Sequence, residues 1–325
     1  MRNLTELQIQ LCNMLQNGIP ICEKPFAIIA DDLGAGSEQV LEEIRKLKED
    51  GIIRRFRTII NHRTLGKTST LVAAHVPEDK LQQVAESVNA LAGVSHNYLR
   101  ENFYNLWFTL QAQTEEEIEN ILSGLHERFR IDFYSLPVLR TFKLSVQFNV
   151  TNSEHISKNK ITIKPKNEKV SLNEEEKYIL TNLQKEIEIT EKPFSFLTID
   201  KLKTENVLEI IQQLVGKGVI RRIAAVIDYH QLGFKANVLF ACEIPSERIV
   251  EAGGKLAELE IVSHCYERKT FDGWPYNLFA MLHSQSMDEI KRKMNKFIKK
   301  EKINSYQFLP TISELKKEPV QHNFK

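Results

Sequence analysis

The chain has 325 residues, 42% of them hydrophobic and 27% charged, an ordinary globular composition on a length that calls for more than one core. A formal net charge of +1 gives no whole-chain field that would draw the protein to nucleic acid or an anionic membrane. No apolar run reaches the ~18 residues that would span a bilayer, and the first residues lack the apolar stretch of a signal peptide, so a cytoplasmic protein is expected.

From the N-terminus, Asn3 or Thr5 can cap a helix that runs through Leu15, and Pro25 starts a second helical segment. Val40, Leu41, Ile44 and Leu47 then recur at helical spacing over Ser37–Glu49, and Gly51 ends that helix. A strand follows over 52–60. The pattern continues as strand 69–75, helix 78–91, strand 94–101, strand 105–112, helix 115–129 and strand 131–139, the βαββαβ order of a ferredoxin-like domain. Residues 151–170, rich in Lys, Asn and Ser with Pro165, read as a linker.

The order then repeats. Asn173 with Glu176 forms a capping-box pattern ahead of Tyr178-Ile179-Leu180, Pro193 answers Pro25, and Val207, Ile210, Ile211 and Leu214 answer the earlier apolar face. Short blocks recur in register: Glu23-Lys24-Pro25-Phe26 with Glu191-Lys192-Pro193-Phe194, Arg54-Arg55 with Arg221-Arg222, Leu65-Gly66 with Leu232-Gly233, and Leu136-Pro137 with Leu309-Pro310. The expected fold class is therefore α+β, a tandem duplication of a winged helix-turn-helix domain plus a ferredoxin-like domain. The expected units are 1–62 and 63–150 in copy one, linker 151–170, 171–229 and 230–315 in copy two, and a polar, loosely packed tail 316–325.

The candidate recognition helices do not suit DNA. Ser37–Asp50 carries Glu38, Glu42, Glu43, Glu49 and Asp50 against three cations, and 204–215 carries Glu205 and Glu209 with no Lys or Arg, whereas groove binding needs cations for phosphates. Specific DNA binding is not expected. The cysteines Cys12, Cys22, Cys242 and Cys265 form no CxxC pair, so no metal site of the protein's own is expected.

Two features carry chemistry. His96-x-Tyr98-x-Arg100 recurs as His264-x-Tyr266-x-Arg268. Strand alternation puts each trio on one face, where a core strand should be apolar, and such breaks in a local rule mark function. The Arg54-Arg55 and Arg221-Arg222 pairs, with Arg57, offer guanidinium forks suited to carboxylates. Alternation predicts that one Arg of each pair faces solvent and the other a cleft. Copy two also inserts Asp272-Gly273-Trp274-Pro275 before Tyr276-Asn277, and places Asp228-Tyr229-His230 where copy one has Asn61-His62-Arg63.

The architecture resembles the Lrp/AsnC superfamily of helix-turn-helix plus ligand-sensing domains, over nearly the whole chain except linker and tail. The finer motifs resemble the sirohaem decarboxylases within it. Copy one is similar to the A-type subunit through Arg54-Arg55-Phe56, Leu65-Gly66, Val94-Ser95-His96-Asn97-Tyr98-Leu99-Arg100-Glu101 and Tyr104-Asn105-Leu106-Trp107-Phe108-Thr109. Copy two is similar to the B-type subunit through Val262-Ser263-His264-Cys265-Tyr266-Glu267-Arg268 and Trp274-Pro275-Tyr276-Asn277-Leu278-Phe279. Copy two departs in having Ile223 where copy one has Phe56, and no counterpart of Arg140 in Ser313-Glu314-Leu315-Lys316-Lys317.

The resemblance implies a carboxy-lyase that removes carbon dioxide from the C12 and C18 acetates of sirohaem, giving 12,18-didecarboxysirohaem for haem or dioxo-haem synthesis. The two copies would pack as a pseudo-heterodimer and could pair further into a homodimer. The macrocycle itself would be the electron sink, with no cofactor of the protein's own. It implies His264 and His96 as proton donors assisted by Tyr266 and Tyr98, with Arg54, Arg55, Arg100, Arg140, Arg221, Arg222 and Arg268 holding carboxylates. Asn105, His230, Trp274, Tyr276 and Asn277 would line the substrate, and His230 or His264 could ligate its iron. The alternative is an Lrp/AsnC-type regulator sensing haem, sirohaem or an amino acid.

Overall fold

The structure, a computed structural model, describes residues 4–144 and 169–324, so the expected linker lies almost wholly outside the described residues. In copy one Thr5 caps helix α1 (Glu6–Leu15), accepting from the Gln8 amide at 3.2 Å while the Gln8 side chain accepts from the Thr5 amide at 3.1 Å. Helix α2 (Pro25–Leu33) begins on its proline and stops at Gly34, whose φ of 62° is the left-handed stop that glycine accepts freely. Helix α3 (Ser37–Glu49) buries Val40, Leu41, Ile44 and Leu47 and leaves its acidic side to solvent.

Copy two keeps the outer helices, α6 (Glu174–Leu183) and α7 (Thr204–Gly216), with Asn173 and Glu176 forming the expected capping box. It does not keep the middle one. After Pro193 only a 3-10 turn forms over Ser195–Leu197. Ser195, Phe196, Thr198 and Ile199 are weaker helix formers than the Ala27, Ala30 and Leu33 of copy one. The wings, β1 (Ile53–Ile60) and β6 (Ile220–Ile227), pair antiparallel with each other as a two-stranded ribbon, and Phe56 and Ile223 enter a single core shared by both helical domains.

The second domains run β2 (Thr68–Ala74), α4 (Leu81–Ala90), β3 (Val94–Arg100), β4 (Leu106–Ala112), α5 (Glu115–Phe129) and β5 (Phe133–Leu144), then β7 (Ala236–Cys242), α8 (Ile249–Glu258), β8 (Val262–Arg268), β9 (Leu278–Ser284), α9 (Met287–Lys300) and β10 (Tyr306–Lys317). Their strands close one barrel in the order β10-β3-β4-β2-β5-β8-β9-β7. Two long strands make the closure. The first part of β5, Phe133–Pro137, pairs with β2, and its second part, Val138–Leu144, pairs with β8 of the other copy. Likewise Tyr306–Pro310 pairs with β7 and Thr311–Lys317 with β3. Strand β5 runs past residue 139, the end expected from sequence, and β10 extends in the same way, because the continuation of each is hydrogen-bonded to the opposite copy.

Each domain has an apolar core under its helices, and a third cluster fills part of the barrel interior with Ala73, Trp107 and Leu136 from copy one and Leu239, Ala241, Phe279 and Leu309 from copy two. The C-terminal stretch expected to be loose is packed instead. The Glu318 amide donates to Ser95 O at 2.8 Å, and buried His322 exchanges backbone bonds with the side chain of Gln184. No helix among the described residues is long and apolar enough to cross a membrane.

Candidate active site between the two copies

Residues opposite one another across an antiparallel pair share a face. Tyr98 lies opposite Trp107 and Tyr266 opposite Phe279, and both partners belong to the interior cluster. The His96, Tyr98, Arg100 row and the His264, Tyr266, Arg268 row therefore both point into the barrel, one from each copy. The geometry repeats closely: the His and Tyr ring centroids are 6.2 and 6.1 Å apart in copies one and two, and each Arg guanidinium lies 4.9 Å over its Tyr ring. Serine hydroxyls orient the imidazoles, Ser95 Oγ at 2.8 Å from His96 Nδ1 and Ser263 Oγ at 2.9 Å from His264 Nδ1.

Burial sets the charge states. Desolvation, then the neighbouring Arg57, Lys317 and His264 charges, pushes His96 down to about 3. Desolvation, then Arg222, Arg221, Lys143 and Arg268, pushes His264 down to about 4. Tyr98 is pushed up to about 12 by burial and then by Glu314. A neutral imidazole and a neutral phenol thus face the interior until an anion arrives.

The arginine ribbon corrects the expectation of one Arg inward and one outward. The β1–β6 register slips at Arg54 and again at Arg221. A bulge breaks strict alternation, so both arginines of a pair leave the core side. In copy two, Arg221 and Arg222 are both half-buried, and the Nε of each, like that of Arg57, lies buried without a hydrogen-bond partner among the described residues. Desolvation lowers the pKa of Arg57, Arg221 and Arg222. Leaving cationic donors buried and unpaired is costly, and the arrangement suits a ligand that brings carboxylates.

The copies differ in what already holds their first arginine. Arg54 is taken by Asp228 at 2.9 Å and approached by Glu314 at 3.8 Å. Its counterpart Arg221 donates to the neutral amide of Asn61 at 2.9 Å. Arg55 sits half-buried beside Arg57 on β1.

Several other sequence candidates have different surroundings. Arg100 donates to Leu309 O at 3.2 Å and Thr311 Oγ1 at 2.9 Å, and Arg268 to Leu136 O at 2.8 Å, so each brackets the crossing strand of the opposite copy while its Nε has no hydrogen-bond partner among the described residues. Arg140 lies half-exposed, 3.5 Å from Glu267. Glu267 and its neighbour Cys265, which packs in the core under α8, flank the inward-facing Tyr266, so alternation sets this pair on the outer face, away from the histidines. Asn105 and Asn277 use both ends of their amides on the backbones of Val76 and Ile244. Trp274 and Tyr276 join a packed aromatic group with Tyr104, Trp107 and Phe271. His230 is exposed, its amide donating to Asp228 Oδ1 at 3.0 Å.

Sequence reasoning does not single out His283, Arg63, Glu314 or Lys317 as site residues. His283 lies on β9 two residues from Met281, the cross-strand partner of His264, and burial followed by the His264 and Lys317 charges pushes it down to about 3. Arg63 lies within electrostatic reach of Tyr266 and Arg268. A histidine that breaks the apolar run of Leu278–Ser284 is the available signal for His283. An outer cleft of about 820 Å³ is lined by Glu243, Arg248 and Glu267 together with the sequence candidates Arg268 and Asn277, but by none of these histidines. Among the described residues no group of three or more His, Cys, Asp or Glu is placed to hold a metal ion.

The comparisons with known proteins fit this layout. The family model for an AsnC-like ligand binding domain matches residues 64–143 and 231–316, and that for a siroheme decarboxylase NirDL-like HTH domain matches residues 8–54. A siroheme decarboxylase of Hydrogenobacter thermophilus is 35% identical over 319 residues, covering 96% of this chain and 94% of its own. The siroheme decarboxylase alpha subunit of Desulfovibrio desulfuricans is 39% identical over 150 residues, covering 46% of this chain and 87% of its own. The crystal structure of the siroheme decarboxylase NirDL in co-complex with an iron-uroporphyrin III analogue superposes with a TM-score of 0.72 at 33% identity, over 98% of this chain and 95% of that one. Near-complete coverage in both directions, with the duplicated histidine rows and arginine ribbon in place, shows that the chain belongs to the siroheme decarboxylase family.

Proposed function

We propose that the chain decarboxylates sirohaem, removing carbon dioxide from the C12 and C18 acetates to leave methyl groups. The observation that carries this reading is the set of buried guanidinium Nε groups of Arg57, Arg221 and Arg222, without hydrogen-bond partners among the described residues, beside two inward imidazoles. A many-acid macrocycle supplies the missing anions, and charge-assisted, bidentate contacts to Arg fix its position. The iron tetrapyrrole is substrate, and no cofactor of the protein's own is needed.

When an acetate C–C bond breaks, its electron pair is left on the methylene carbon and delocalises into the conjugated ring. The protein's tasks are to hold the acetate, exclude water and deliver one proton to that carbon. His96 and His264 fit the last task. Substrate carboxylates near an imidazole favour its protonated form, so binding reverses the depression that burial imposes on the empty site. Tyr98 and Tyr266, held neutral by burial, supply hydroxyl donors beside each imidazole.

Anaerobic incubation with sirohaem followed by mass spectrometry is expected to show loss of two carbon dioxide units. His264→Ala and His96→Ala should each lower turnover about a hundredfold, the scale of a lost general acid. Folded protein that leaves sirohaem intact would remove the reading, and a His264→Ala variant at full rate would remove the proton-donor role.

A further inference from the structure

The two histidine rows are related by the duplication, yet the crossing strands bring them unlike neighbours. Across β5 and β8, Thr141 lies opposite Tyr266 and Leu144 opposite His264. Across β10 and β3, the matching positions are Glu314 opposite Tyr98 and Lys317 opposite His96. A register slip between Glu314 and Lys316 lets residues three apart share the inward face. Leu315 packs with the core under α4 and α5, and Lys316 Nζ donates to Asn89 O at 2.6 Å, so the two between them point the other way.

Glu314 and Lys317 are ion-paired at 3.1 Å. Glu314 also approaches Arg54 at 3.8 Å, and Arg54 is held by Asp228 at 2.9 Å. Asp228, Arg54, Glu314 and Lys317 therefore form a line of alternating charges beside His96. At the other row, Asn61, Thr141 and Leu144 occupy the matching places, and among the described residues Arg221 meets the neutral Asn61 amide where Arg54 meets Asp228.

We infer that Lys317 is a carboxylate-anchoring, specificity-determining residue of the His96 row, with Glu314 as a resting partner that a substrate carboxylate displaces. The inference rests on the tetrapyrrole reading of the site. The macrocycle then meets two unlike ends. One is the set of cations at Arg221, Arg222 and Arg63, where Asn61 stands in place of a carboxylate. The other is a pre-neutralised end where a carboxylate must exchange for Glu314 before Lys317 can hold it over His96. A flat, many-acid ring would be oriented by that difference, because docking it the wrong way sets its denser carboxylate edge against Glu314 and Asp228.

The test uses the full chain and sirohaem under anaerobic conditions, reading binding by absorbance titration and turnover by mass spectrometry. Lys317→Leu copies the residue found at the other row. It is expected to weaken binding about tenfold, the size of one charge-assisted hydrogen bond, and to raise KM more than it lowers kcat. Lys317→Arg should restore most of the affinity. Glu314→Gln should act in the opposite direction and tighten binding. A purely structural role would move both variants the same way. Unchanged binding in Lys317→Leu, or weaker binding in Glu314→Gln, would overturn the assignment. The decarboxylase reading is judged separately by carbon dioxide loss from the wild-type chain, since an anchor at Lys317 shows in the titration whether or not turnover follows.

Discussion

At the scale of single residues, buried imidazoles tie stability to pH. His62, His96, His264, His283 and His322 are all pushed below the ordinary histidine range, by burial first in each case and then by nearby cations. In the unfolded chain they titrate near ~6.5. Between about pH 4 and 6.5 the unfolded chain binds protons that the folded chain does not, so folding stability rises with pH through that window and falls on acidification. The melting temperature of the ligand-free protein is expected to drop from pH 7 to pH 5. Carboxylate pairs contribute a drop of their own at lower pH, so a difference measurement isolates the histidine share. His283→Gln places at β9 the residue that copy one carries at Gln111, and should flatten the slope between pH 7 and 5. A slope equal to wild type would show that His283 is not held neutral. The sequence displays the histidines and arginines openly, but not which of them are already partnered. Arg54 and Arg221 look identical in their motifs, and only the fold brings Asp228 to one and Asn61 to the other.

At the scale of elements, the strand that carries His96 is fixed by a glycine just before it. A Cβ built on Gly93 would lie 2.1 Å from Gln111 O on β4, while the Gln111 amide donates to Gly93 O at 2.9 Å. Gly93→Ala must part β3 from β4 or shift the turn before them, and is expected to destabilise by more than about 2 kcal/mol in denaturant unfolding. Gly254→Ala is the control. It sits within α8 with nothing within 4 Å of the added carbon, and should be neutral or stabilising by roughly 0.5–1 kcal/mol. Equal effects from the two would refute the close-approach argument. Most elements are legible from local pattern: α5 spans Glu115–Phe129 as the apolar spacing predicts, Thr5 caps α1, and the capping box at Asn173 and Glu176 forms. What local pattern cannot supply is a partner. The second halves of β5 and β10, the slips at Arg54 and Arg221, and the inward turn of Lys317 all depend on strands from the opposite copy. The shortened second helix of copy two, by contrast, was readable in its Ser, Phe, Thr and Ile content.

At the scale of the whole molecule, every shared surface joins the two copies through backbone hydrogen bonds as well as side chains. The ribbon pairs β1 with β6, the barrel closes only through β5 on β8 and β10 on β3, and the helical domains share one core. Either half alone would expose unpaired strand edges and half of an apolar core, a state that invites pairing with another chain. Residues 1–150 and 169–325, produced together as separate chains, are therefore expected to assemble one to one, as measured by size-exclusion chromatography with light scattering. The assembled pair should bind sirohaem as the intact chain does, because the histidine rows and the arginine ribbon each need both copies. Produced singly, each half should aggregate or pair with itself. A half that remains a folded monomer at high concentration would contradict the shared core and the crossed strands, since it would have to satisfy β5 or β10 within its own domain. The link in the intact chain then has a physical role of its own: it raises the effective concentration of one copy around the other and makes the unequal pair, with its unlike ends, the favoured product over two equal ones.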